Sequence, residues 1–127
     1  MTLRTHLKIK THNKQVFEAE LSKTATYDLY FMMRYATGYP YKNIKIKISL
    51  THSDGTVVYK HCSFPVIDEN NKYLGDVTGQ LWDIENLFAE KQELEKGKYT
   101  FELIPDMNAD PVIAIIDVGI MIKENEN

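Results

Sequence analysis

The sequence predicts an all-β protein: an antiparallel β-sandwich of about eight strands, jelly-roll-like in arrangement. Three observations carry this. Apolar residues recur at every second position through most of the chain, as strands with one buried face require. Turn residues separate these runs at near-regular spacing, the pattern of a sandwich or barrel. No strand–helix–strand unit and no internal repeat is visible.

The elements follow in order. Leu3, Thr5, Leu7 and Ile9 form the first alternating set, and Phe17, Ala19 and Leu21 the second, with Glu18 and Glu20 facing out. In Tyr27–Tyr35 the odd positions are apolar or aromatic, while Asp28, Tyr30, Met32 and Arg34 make the other face mixed. Ile44, Ile46, Ile48 and Leu50 alternate with Lys45, Lys47 and Ser49, and their β-branching favours extended backbone. Asp54-Gly55 then joins this run to Val57–Phe64 as a hairpin, with glycine supplying positive φ. Pro65 ends that strand, and Asp68-Glu69-Asn70-Asn71-Lys72 is a polar turn.

Residues 74–96 read as one long irregular connection. Gly75 and Gly79 punctuate it, and Ile84, Leu87 and Phe88 at helical spacing predict a short helical turn within Asp83–Glu95. Lys98–Ile104 alternates again. Pro105–Pro111 is a loop. Val112–Lys123 closes the fold with wholly apolar even positions, its odd face expected to lie under the 74–96 segment. The domain is expected to span 1–123, with 124–127 a frayed polar tail.

Composition bounds the function. At 127 residues the chain forms one domain and needs no disulfide or metal to fold. A net charge of −3 argues against a non-specific nucleic-acid partner. No run approaches the length of about 20 apolar residues that spans a bilayer. The single cysteine, Cys62, shares a face with Phe64 and reads as a small buried hydrophobe.

Tests for catalytic and metal chemistry give no site. His61 and Cys62 point to opposite faces and cannot share an ion, and His6 and His12 have no ligand beside them. A calcium loop starting at Asp68 would place Lys72 fifth and Gly79 twelfth, which excludes it. No nucleophile elbow surrounds Ser22, Ser49, Ser53 or Ser63. Asp106 and Asp110 read as solvated turn carboxylates. No catalytic residue, cofactor or metal is therefore expected. Arg34 and Asp117 each interrupt apolar company. They are expected to pair, or each to be met by backbone groups of the 74–96 segment. Tyr39 and Tyr41 around Pro40, with Trp82, leave open a carbohydrate-binding module using exposed rings; the other reading is that the tyrosines cap the core.

Together the residues resemble a known family. Tyr27-x-Leu29-Tyr30-x-x-x-Arg34, then Gly38-Tyr39-Pro40-Tyr41-x-Asn43, are similar to the gliding-motility lipoprotein GldH family of Bacteroidetes-type bacteria. Asp54-Gly55, Tyr73-Leu74-Gly75, Gly79, Gly97-x-Tyr99-Thr100-Phe101 and Asp117-Val118-Gly119-Ile120 follow in the same order. The motif positions are thus Tyr27, Tyr30, Arg34, Tyr39, Pro40, Tyr41, Asn43, Gly75, Asp117 and Gly119. The resemblance implies a non-catalytic envelope lipoprotein, acylated on an N-terminal cysteine and held at the periplasmic side of a membrane. It implies contacts with other envelope proteins of gliding motility or the linked secretion machinery. The lipid anchor is expected to lie outside this chain, since Cys62 lies mid-strand, and the chain itself is expected to be soluble.

Overall fold

The computed structural model describes residues 2–6, 14–107 and 114–125. The expectations for Leu7, Ile9, His12, Asp110, Pro111, Val112 and the end of the tail lie outside the described residues. The described strands are β1 (Thr2–His6), β2 (Gln15–Leu21), β3 (Ala25–Ala36), β4 (Asn43–Thr51), β5 (Val57–Pro65), β6 (Asp76–Thr78), β7 (Leu81–Leu94), β8 (Gly97–Pro105) and β9 (Ile115–Glu124). One sheet has the order β1-β9-β3-β7-β6 and the other β2-β8-β4-β5. All pairings are antiparallel. With the three-residue β6 set aside, two four-stranded sheets remain, and the chain crosses repeatedly between them. This is the jelly-roll arrangement.

Alternation fills the space between the sheets. Leu29, Phe31, Met33 and Tyr35 of β3 meet Ile44, Ile46, Ile48 and Leu50 of β4 in one core, with Tyr99, Phe101 and Leu103 of β8 and Val118, Ile120 and Ile122 of β9. Apolar area removed from water, at about 25 cal/mol per Å², is the main favourable contribution. The β4–β5 hairpin forms as the sequence predicts: Thr51 pairs with Val57, Gly55 has φ +91°, and Gly55 N–H donates to His52 O at 2.9 Å. Asp68 closes the polar turn by accepting the Asn70 and Lys72 N–H groups at 2.8 and 3.0 Å.

The 74–96 segment is not the irregular connection expected, and no helical turn forms in it. It contains β6 and β7, and β7 is a fourteen-residue strand. The misreading has a physical cause. From Tyr27 to Leu29 the partner register moves from Gln92 to Ala89, and from Leu29 to Tyr30 it moves from Ala89 to Leu87. Each step leaves one extra residue on β7, a bulge that resets the alternation. Ile84 and Phe88, an even four positions apart, are buried on one face as a strand requires, while Leu87 is exposed. Lys91 takes φ +53° at the bulge, and its N–H donates to Asp28 Oδ1 at 2.9 Å.

A similar reset corrects the reading of β9. Arg34 pairs with Asp117 and Tyr35 with Ile115, so Ile116 is the extra residue and Ile115 is buried in its place. The 74–96 segment does not cover β9. It lies in the same sheet, with β3 between the two.

Candidate functional site

Two regions concentrate polar and aromatic side chains. The first gathers most of the motif positions at one end of the sandwich. Extended β3 carries Tyr35 inward and Arg34 outward. The 37–42 turn returns Tyr39 against Tyr35 and Tyr41 against Tyr39, and β7 brings Trp82 alongside Tyr35. Ring centroids are 5.6 Å apart for Tyr39–Tyr41 and for Tyr35–Tyr39, 5.8 Å for Tyr35–Tyr73 and 5.4 Å for Tyr73–Trp82. The polar ends of these rings bind backbone or turn groups. Tyr39 Oη donates to Asn43 O at 2.9 Å, Tyr35 Oη reaches Leu74 O, and Trp82 Nε1 donates to Thr37 Oγ1 at 3.1 Å. Tyr73 Oη accepts the Gly38 N–H at 2.9 Å. Burial pushes the Tyr35 phenol up to about 12 and raises that of Tyr39 further.

Tyr39 is only 1 % exposed, and Tyr41 and Trp82 are half-buried against the core. The three rings named for sugar binding are therefore part of a packed aromatic cap, with no open face on Tyr39. Pro40 is exposed at the tip of the turn, and Asn43 contributes its backbone carbonyl. Tyr27 is buried, with its hydroxyl on Lys23 O at 2.6 Å. Tyr30 lies half-buried on the opposite face of its sheet, with Lys123 Nζ 5.5 Å from its ring centroid.

Arg34 is met by a partner that sequence reasoning missed. Its Nε and Nη2 donate to Asp83 Oδ1 and Oδ2 at 3.0 and 3.1 Å, a bidentate pair. This hydrogen bonding, with the charges of Asp83 and Asp117, raises the guanidinium pKa above its ordinary value. Asp117, 2 % exposed, occupies the opposite register position on β9. The expected Arg34–Asp117 association is thus one of charge and register, while the direct ion pair comes from a β7 side chain rather than its backbone. Asp76 continues the row on β6, opposite Asp83. Gly75, with φ +107°, passes directly over the Asp83 carbonyl, and Gly119 is buried in β9 opposite Met32. Asp83 could have been found only by recognising that 81–94 is a strand in register with β3.

The second region lies toward the other half of β3 and β7, and of the quoted motif residues it involves Leu29. A cleft of about 490 Å³ opens between the sheets where β5 faces β7. Leu29, Ile48, Leu50 and Phe88 form much of its floor, with Val58 and Leu87 at its lips. Lys60 Nζ crosses it to donate to Phe88 O at 2.7 Å. Phe64, further along β5, is stacked on Phe31 at 5.3 Å. Cys62 lies between, packed against the core, and burial raises its thiol pKa. Among the described residues no group of three or more His, Cys, Asp or Glu side chains could hold a metal ion. His61 instead lies 3.7 Å from Asp106.

Comparison with known proteins adds a family and a fold. A family model described as GldH lipoprotein matches residues 8–122. No curated protein matches the chain. A solved protein from Sulfurospirillum deleyianum is 13% identical with TM-score 0.51, covering 100% of this chain and 99% of that one. TmCBM61, solved with β-1,4-galactotriose, is 11% identical with TM-score 0.47, and the match covers 88% of this chain and 62% of that one. A family 35 carbohydrate-binding module from an environmental isolate is 13% identical with TM-score 0.48, covering 93% and 70%. At 13% identity the likeness to the Sulfurospirillum deleyianum protein is one of fold, and fold alone does not carry function.

Proposed function

The chain belongs to the GldH lipoprotein family, and from that premise we propose that it works without catalysis, through protein–protein contacts at the periplasmic side of the cell envelope. It is an envelope-lipoprotein domain. Its role is in gliding motility or the secretion machinery linked to it, and in the cell it is held to a membrane by an N-terminal lipid. The family match over residues 8–122 carries this reading.

The geometry supports it in a specific way. Several motif side chains make internal contacts: Tyr27 binds a turn carbonyl, Arg34 binds Asp83, and Tyr39 binds the Asn43 carbonyl. These positions build the scaffold, so partners would meet other residues on its surface. A sugar-stacking role finds less support, because Tyr39 has no free ring face.

The test is crosslinking and affinity purification of the full-length lipidated protein from its native cells, alongside a deletion strain. Recovery of envelope motility or secretion components, and loss of spreading or secretion on deletion, are expected. Normal spreading and secretion in the deletion strain, or recovery of glycan alone, overturns the reading.

A further inference from the structure

We propose that the free edge of β5 is a strand-addition site: an extended segment of a partner protein pairs with Val57–Ser63 and places alternate apolar side chains in the cleft beside it. The segment's intervening residues are acidic. This rests on the reading of the chain as a protein-contact domain and names the chemistry of the contact.

Four observations lead here. β5 is the terminal strand of its sheet, and among the described residues only β4 pairs with it. A nine-residue edge, about 30 Å long, presents a row of backbone N–H and C=O groups that a further strand can satisfy. Pro65 lacks an N–H and so sets the end of the pairing. Among the described residues the facing edge of β7 is likewise unpaired beyond Asp83, since β6 pairs with Leu81, Trp82 and Asp83. Among the described residues no strand closes this flank of the sandwich, and the Lys60 Nζ–Phe88 O hydrogen bond spans it.

The second observation is exposed apolar surface on this strand. Val57, Val58 and Tyr59 are 57%, 49% and 64% exposed, consecutive on an edge. Edge strands ordinarily avoid this, since it invites pairing with another chain. Leu87 is exposed on the opposite lip. Third, the cleft has an apolar floor. Side chains on one face of an added strand would point into it, as alternation requires.

Charge identifies the occupant. On the outer face Lys45 pairs with Ser63 and Lys47 with His61, so two lysines flank the strand. Lys47 Nζ lies 4.6 Å from the Tyr59 ring centroid, and Lys60 spans the inner side. The nearby acids are Asp106, beside His61, Glu102 on β8, opposite Ser49 and 3.4 Å from Lys14 Nζ, and Glu90 on the far wall of the cleft. This is a locally basic strip on a chain of net charge −3. A second copy is the poorer occupant. Val57–Pro65 carries Lys60 and no carboxylate, so antiparallel pairing of two β5 edges brings no opposite charge to either strand, whereas an acidic segment does. A segment alternating carboxylates with Val, Leu or Phe meets both faces.

The test uses a synthetic, end-capped peptide, Glu-Val-Glu-Leu-Glu-Val-Glu, titrated into the isotope-labelled chain and followed by amide spectra. Shifts confined to β5, the facing part of β7 and the cleft are expected, with slowed hydrogen exchange at β5 amides. A peptide N-methylated at alternate residues keeps its side chains but cannot pair along the edge, and a Lys-for-Glu peptide reverses the charge. Each is expected to bind at least tenfold more weakly. Val58→Asp, an exposed position, should weaken binding by a similar factor with its thermal melt unchanged; Lys47→Glu serves the same purpose if Val58→Asp unfolds. Equal binding of the N-methylated peptide, shifts centred elsewhere, a peptide-induced dimer, or no binding at millimolar peptide overturns the proposal. The two readings fail separately. If lipidated Val58→Asp and Lys47→Glu both restore spreading to a deletion strain, the edge site is wrong while the envelope role stands. If the deletion strain has no defect, the envelope role falls while peptide binding stands.

Discussion

Gly75→Ala isolates one backbone contact whose cost can be worked from the structure. A Cβ built on Gly75 lies 2.2 Å from Asp83 O, 2.8 Å from the Asp83 carbonyl carbon and 3.0 Å from Ile84 Cγ2. Carbon–oxygen contacts settle near about 3.3 Å, so the loop must lift from β7 by roughly 1 Å. Overpacking of this kind costs about 1–3 kcal/mol. The φ of +107° adds strain for any L side chain, on the order of 1–3 kcal/mol. The expected loss is therefore about 2–6 kcal/mol, against a total stability of roughly 5–15 kcal/mol. Gly79→Ala is the control. Gly79 has φ +62° and no atom within 4 Å of the built Cβ, so only the backbone cost of about 1–2 kcal/mol remains. Urea unfolding followed by circular dichroism reads the difference. With a slope of about 1–3 kcal/mol/M, Gly75→Ala should unfold roughly 1 M below Gly79→Ala. Coincident midpoints would refute the reasoning that close approach, rather than φ alone, fixes glycine at position 75.

Three further outcomes follow from the titrating groups and the single thiol. Above about pH 10 the fold should weaken, because the unfolded Tyr35 phenol ionises there while burial holds the folded one up to about 12; this stability is complete below the unfolded value and lost as pH rises through the folded one. The melting temperature of Tyr35→Phe should fall less above about pH 10 than that of the parent, and an equal fall argues against a buried phenol. At the acid end Asp28, Asp54 and Asp68 are all lowered, chiefly by backbone N–H groups of Lys91, Thr56 and Lys72 respectively. Their contribution is present above the unfolded carboxylate value of about 4 and lost as pH falls through their folded values. Asp28→Ala should lower the melting temperature at pH 7 more than Asp28→Asn, which keeps an acceptor for Lys91 N–H; the reverse order argues against that hydrogen bond. Cys62 should react slowly with a disulfide reagent at pH 7 and faster after unfolding, because burial raises its thiol pKa. Reaction at the same rate before and after unfolding contradicts its packing.

The sequence alone determined most of the architecture. Faces alternate in an extended chain, so the inward sets of β2, β4 and β8 can be read residue by residue, and Asp54-Gly55 announces the hairpin through its need for positive φ. Arg34 and Asp117 also stand out by sequence alone, because charge among apolar neighbours demands company. Tertiary structure decided what local pattern could not encode. The bulges on β7 and β9 exist only relative to β3, since an extra residue is extra only when a partner strand is beside it. Asp83 became the arginine's partner through that same register. The open flank of β5 likewise depends on which strand ends each sheet, a matter of strand order rather than of any residue in Val57–Pro65.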